Sequence, residues 1–172
     1  MSFAESFTPL DSKLHNVKGF SCGKATLDDF ISRYAAKNMK LGVSNTWVLT
    51  VQQNKPSGKA PIAAYYTLTP SAVKPEVIPF DKKLPNYPVP VILLARLAVD
   101  QKYSGQGLGE KTLITALRKS VDITTTGLNA VGVIIDVLDE DALNFYNHFD
   151  LFSPFTDNPM RLFAPISVLK QI

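Results

Sequence analysis

Apolar side chains along the chain repeat with different periods, and each period predicts a different element. Leu27, Phe30, Ile31, Tyr34, Asn38 and Leu41 recur at helical spacing with one polar interruption, so a helix is expected there. Thr26 and Asp29 suit its capping box, and Gly42 is its expected stop. Residues 46–51 (TWVLTV) and 62–69 (IAAYYTLT) read as strands, and the turn-rich QNKPSGKAP between them predicts a hairpin. Residues 70–90 hold six of the 12 prolines, yet Val73, Val77, Ile78, Phe80 and Leu84 lie among them, which predicts a packed, irregular excursion instead of a linker.

The second half of the chain is more regular. Residues 91–99 (VILLARLAV) are almost continuously apolar, as expected of a central strand covered on both faces. A glycine-rich turn, residues 103–109 (YSGQGLG), follows, and from Glu110 a helix is expected on Leu113, Ala116, Leu117 and Val121. Residues 130–138 (AVGVIIDVL) predict another buried strand, which leads through Asp139 as N-cap into the helix DEDALNFYNHF. Residues 161–166 (RLFAPI) read as a last strand. No internal repeat or low-complexity tract interrupts this order.

Composition narrows the class. A chain of 172 residues, 45% hydrophobic, is long enough for one substantial core and short for two, so 1–172 is expected to be one domain. The longest apolar stretch is broken by Arg96 and falls far short of the roughly 20 residues a membrane helix needs, so no membrane association is expected. The opening MSFAESFTPLDSK has no signal-peptide pattern, so a cytoplasmic location is expected. Cys22 is the one cysteine, and with only His15 and His148 beside it no zinc cluster of familiar spacing can form, so no metal is expected. The net charge of +3 neither requires nor opposes a polyanionic partner.

The glycine-rich turn carries the chemistry. A loop that opens a helix turns several unpaired N–H groups and the positive end of the helix dipole toward one point, which suits a pyrophosphate. The nucleoside-triphosphate loop pattern fails, because Glu110 stands where a glycine should precede Lys111 and Thr112. The dinucleotide pattern fails as well, since counting from Gly105 and Gly107 the third glycine position is Glu110, and the loop follows a late strand. Three alternate glycines alone could equally be a surface turn.

Three segments in order resolve that ambiguity: LLARLAVD (93–100), the loop, and ALNFYNHFDLF (142–152). Together they resemble the acyl-CoA motifs of the GNAT superfamily of N-acetyltransferases. FSCGKATLDDF (20–30), AAYYTLTPSAV (63–73), ARLAVD (95–100) and the final RLFAPI extend the resemblance, over most of the chain, to the toxin branch that acetylates aminoacyl-tRNA. Two positions depart from the pattern. Ser104 stands where arginine or glutamine usually opens the loop, and Asp150 where a glycine usually follows the tyrosine helix.

The resemblance implies an α/β GNAT fold, with a central, mostly antiparallel mixed sheet, splayed central strands and helices on both faces. It implies acetyl-CoA as cosubstrate, its pantetheine arm bonded like an added strand to the backbone of Leu97, Ala98 and Val99. The pyrophosphate would then lie on Ser104, Gly105, Gln106, Gly107, Leu108, Gly109 and Glu110, with Asn144 also touching CoA. Tyr146 becomes the acid that protonates the departing thiolate. The implied partners are aminoacyl-tRNA and a ribbon-helix-helix antitoxin, whose complex with the toxin binds operator DNA. A homodimer is a further candidate assembly. Acetylation of a small amine or a protein amine, or a catalytically silent CoA-binding module, are the rival readings.

Each of these residues also has a plainer reading. Tyr146, beside Phe145 and near Phe149, could be a core aromatic, and Asn144 a solvent-facing helical residue. Arg96 could pair with Asp100 or Asp136 instead of touching RNA or acceptor. His148 is expected to be exposed, and Cys22 a packed thiol without a catalytic role. Arg33, Lys37 and Lys40 on the first helix, with Lys82 and Lys83 in the proline-rich excursion, form either solvated faces or a surface tracking tRNA phosphates.

Overall fold

The computed structural model describes residues 2–53 and 58–172; residues 54–57, part of the predicted hairpin turn, lie outside the described residues. Strands β1 (Thr8–Pro9) and β2 (His15–Asn16) precede a helical segment made of α1 (Ala25–Asp29), a π turn (Phe30–Tyr34) and α2 (Ala35–Leu41). Then follow β3 (Asn45–Thr50), β4 (Ala60–Val73), β5 (Val89–Val99), α3 (Leu108–Thr125), β6 (Gly132–Asp136), α4 (Glu140–Asn147), β7 (Ser153–Phe155), β8 (Asn158–Pro165) and α5 (Ile166–Leu169). The strands hydrogen-bond in the order β1-β3-β4-β5-β6-β8-β7, with β2 beside β4. Pairings β1–β3, β3–β4, β6–β8 and β7–β8 are antiparallel, and β5–β6 and β2–β4 parallel. This is the mixed, mostly antiparallel sheet that the resemblance implied. No helix among the described residues is long and apolar enough to cross a membrane.

The chain divides into two compact units, Met1–Leu68 with Arg96–Ala116, and Thr69–Ala95 with Leu117–Ile172. In the first, alternation along the strands supplies two apolar faces. Val48, Ile62, Tyr65 and Ala98 pack with Phe30, Ile31 and Ala35 of the helical segment. Leu49, Ala63 and Ala64 pack with Tyr103 and Leu108 at the start of α3. Register partners Thr46 and Thr67 are fully buried and share a hydroxyl hydrogen bond of 2.7 Å, which offsets the cost of removing both from water.

The helical segment departs from expectation in phase. Its N-cap is Lys24 without a side-chain bond, so the Thr26–Asp29 capping box does not form; Asp28 instead accepts the Cys22 N–H at 2.8 Å. A π turn holds one residue more than an α turn, and residues beyond it are therefore rotated by one position. Ala35, Ala36 and Met39 take the packed side, while Tyr34 is 52% and Leu41 66% exposed. Gly42 ends the segment with φ of 75°, as predicted.

In the second unit, β6 lies between β5 and β8, with Ile134 buried against Val91, Phe155 and Phe163. The proline-rich excursion packs Val77, Ile78, Phe80 and Leu84 onto the same cluster, which makes it part of the core as predicted. Arg161 and its register partner Asp136 form a two-pronged ion pair, 2.7 and 3.3 Å.

Candidate active site

The glycine loop is built from its base upward. Where β5 ends, Asp100 is only 4% exposed; its carboxylate accepts the backbone N–H of Lys102 at 2.9 Å and of Ser21 at 3.0 Å. Two donors to one buried carboxylate fix the short turn at residues 101–103, and Tyr103 is held edge-on against Phe3 at 5.5 Å. Gly105 (φ 78°) and Gly107 (φ 76°) then reverse the chain in the left-handed region, where L side chains are penalised. No heavy atom stands within 4 Å of a Cβ built on either glycine.

Helix α3 starts at Leu108, two residues before the expected Glu110, because Leu108 is itself a core residue and the Thr112 hydroxyl donates back to its carbonyl at 2.6 Å. The first-turn N–H groups of such a helix have no intrahelical acceptor, so they open toward the loop. Ser104, where the resembled pattern has a long polar side chain, is exposed and donates its hydroxyl to the Gln101 carbonyl at 3.0 Å. An anion at this loop would meet main-chain groups, and Glu110, exposed in the first turn, places a negative charge nearby.

Strand β5 supplies the second feature. Its register with β6 includes Ile92, Leu93 and Leu94. Ala98 is buried, with Leu97 and Val99 half-buried beside it. Arg96 is half-buried, its guanidinium 4.6 Å from the centroid of the Phe30 ring. Asp136 binds Arg161, and Asp100 accepts two backbone amides.

Helix α4 carries the predicted tyrosine in the second unit. Asp139 caps it as expected, accepting the Ala142 N–H at 2.9 Å. Tyr146 is 7% exposed, with Phe145 at 5.2 Å and Phe152 at 6.0 Å, both edge-on. Burial pushes its phenol well above the ordinary tyrosine range, so it keeps its proton. Asn144 and His148 are exposed. Asp150 adopts φ of 52°, the conformation a glycine takes without cost, which accounts for an acidic residue at that position: aspartate tolerates the left-handed region better than most.

Arg33, Lys37 and Lys40 are exposed in the first unit, as are Lys82 and Lys83 in the second. Asp100 and Phe30 were missed as supporting residues, although a lone acid between a buried strand and a glycine loop is a readable signal for the former. Cys22 is half-buried, and desolvation, with Asp28 adding to it, pushes its thiol up to about 11. At pH 8 only about one thiol in a thousand is then ionised, so iodoacetamide should alkylate native Cys22 about tenfold more slowly than free cysteine. Equal rates would contradict its burial. Among the described residues no group of three or more metal-ligating side chains is found.

No protein-family model matches the chain. It is 34% identical over 154 residues to the tRNA-acetylating toxin of Mycobacterium tuberculosis (strain ATCC 25618 / H37Rv), covering 88% of this chain and 86% of that protein. Its fold superposes on AtaT complexed with acetyl-methionyl-tRNAfMet with a TM-score of 0.85, at 23% identity over 99% of this chain and 98% of that one. A tyrosine-to-phenylalanine mutant of AtaT, bound to the C-terminus of the antitoxin AtaR and acetyl-CoA, aligns with a TM-score of 0.78, 21% identity and 96% coverage of both chains.

Proposed function

The chain belongs to the tRNA-acetylating toxins of GNAT fold, and from that premise we propose that residues 1–172 act as one acetyltransferase domain that moves acetyl from acetyl-CoA to the α-amine of aminoacyl-tRNA. The observation that carries this reading is the strand–loop–helix of residues 96–125, whose left-handed glycines and open helix terminus suit a pyrophosphate, in a chain related to a tRNA-acetylating toxin.

In this reading the backbone of Leu97–Val99 takes the pantetheine arm as a strand would be taken, and an N–H there polarises the thioester carbonyl. The amine nitrogen forms a bond to the carbonyl carbon, the C–S bond breaks, and Tyr146 gives its proton to the departing sulfur. The amine's surplus proton leaves to solvent, which later restores the phenol. No carboxylate or histidine base is assigned. None is needed for an α-amine, whose ordinary pKa of about 7.7–8.0 falls further beside an ester, whereas a lysine at about 10.4 would require one.

The proposal extends to partners. An antitoxin covers the toxin with its C-terminal segment, as in the AtaT complex; it is a ribbon-helix-helix protein, and the pair binds operator DNA in the cytoplasm. Arg33, Lys37, Lys40, Lys82 and Lys83 contribute phosphate contacts to tRNA. The test is transfer of radiolabelled acetyl to total aminoacylated tRNA, with deacylated tRNA as control. Label that requires the aminoacyl group supports the reading. Acetyl-CoA binding with no label on RNA would replace it with a small-amine enzyme or a silent CoA-binding module.

A further inference from the structure

We infer that Ser21–Gly23 is a brace for the acetyl-CoA loop, and that Asp100 and Gly23 are the positioning residues through which it acts. The inference rests on the cosubstrate site proposed above and gives a role to the FSCG motif (20–23), which carries the family resemblance and none of the chemistry.

Two bonds join the motif to the base of the loop. The Ser21 N–H donates to the Asp100 carboxylate at 3.0 Å, and the Ser21 carbonyl accepts the Gln101 N–H at 2.9 Å. Asp100 is the corner of this connection: its own N–H donates to the Ala63 carbonyl of β4 at 2.8 Å, and its second carboxylate oxygen accepts the Lys102 N–H at 2.9 Å. The brace is anchored on either side of Ser21. Phe20 is buried and edge-on to Tyr65 at 5.3 Å, and the Cys22 N–H donates to Asp28 of α1 at 2.8 Å. From Gln101 the connection runs on into the loop, because the Ser104 hydroxyl donates to the Gln101 carbonyl at 3.0 Å.

Gly23 closes the contact. Its φ of 90° lies in the left-handed region, and a Cβ there would collide with the Gln101 side-chain amide, 3.2 Å from its Cδ. Gly105 and Gly107 have open space around them, whereas Gly23 is required by close approach as well as by conformation. A loop with two left-handed glycines has many conformations open to it when free, and these are given up when a pyrophosphate binds. Fixing the residues on which the loop starts lowers that cost and keeps its N–H groups converging on one point.

The experiment compares two acetyl donors, acetyl-CoA and S-acetylpantetheine, which has the thioester and the arm and no pyrophosphate. In Asp100→Asn one oxygen still accepts the Lys102 N–H, as in an ordinary Asx turn, while the side-chain NH2 faces the Ser21 N–H, donor against donor. Gly23→Ala forces the same two segments apart from the other side. Each variant is expected to lower kcat/KM for acetyl-CoA about five- to twentyfold through KM, with kcat, KM for aminoacyl-tRNA and kcat/KM for S-acetylpantetheine within about twofold of wild type. Because both cut one connection, the double variant should lose less than the product of the two. A merely structural role would depress both donors alike, and that result would overturn the inference, as would an unchanged KM for acetyl-CoA in Gly23→Ala even if Asp100→Asn did not fold. Calorimetric binding of CoA separates the inference from the function beneath it. A wild type that binds CoA and leaves aminoacyl-tRNA unlabelled overturns the proposed acceptor; weaker CoA binding by the two variants then still supports the brace, and equal binding overturns it.

Discussion

Tyr146→Phe is expected to lower kcat for acetyl transfer by about a hundredfold or more while acetyl-CoA binding and thermal stability stay near wild type. The substitution removes one oxygen and keeps the ring, so the edge-on contacts with Phe145 and Phe152 survive. What is lost is a proton donor whose state is set by burial. Desolvation raises the phenol's pKa because the phenolate would lie in a poor dielectric, and the neutral acid therefore persists throughout the neutral and mildly alkaline range. A weaker acid is not a poorer one here, since a thiolate formed in similarly dry surroundings binds its proton more tightly too. Single-turnover transfer of labelled acetyl, with calorimetric acetyl-CoA binding alongside, measures both quantities. An unchanged single-turnover rate would remove Tyr146 from the chemistry and leave it a core aromatic.

Gly107→Val should raise KM for acetyl-CoA by about five- to thirtyfold, the equivalent of the roughly 1–2 kcal/mol that the left-handed conformation costs an L residue. At φ of 76° glycine is the residue that takes this conformation freely. Nothing stands within 4 Å of the added Cβ, so the penalty is one of backbone conformation and not of collision with the protein. Relief of the strain swings the peptide plane, and the N–H groups proposed to hold pyrophosphate no longer converge. KM for aminoacyl-tRNA should move much less. An equal rise in both KM values would point to general disorder of the site and count against a phosphate role for the loop.

The legibility of the site was uneven for physical reasons. The glycine loop and the helix after it were readable because positive φ and an open helix terminus are local demands, met by residues within one turn. Asp139 was readable as a cap for the same reason, since its acceptor reaches an N–H three residues on. Tyr146 is different. Its spacing fits a core aromatic equally well, and only resemblance to a family gave it a role. The helical segment was found but its buried face was mistaken beyond Ile31, because a π turn moves the phase by one residue without leaving a mark in the apolar period.

By itself, the sequence determined what neighbours in the chain decide: the longer strands and helices in their order, the glycine turn, the stop at Gly42 and the cap at Asp139, whereas the mostly antiparallel sheet came from the family resemblance. Only the tertiary structure decided what depends on distant partners. Asp100 became the base of the loop by accepting the N–H of a residue 79 positions away. Arg96 came to rest on Phe30, and Arg161 took the Asp136 carboxylate. The protonation of Tyr146 follows from what the fold packs around it. Dihedral preferences and capping act over a few residues and are written locally, whereas desolvation, stacking and long-range hydrogen bonds exist only once separate segments have been brought into contact.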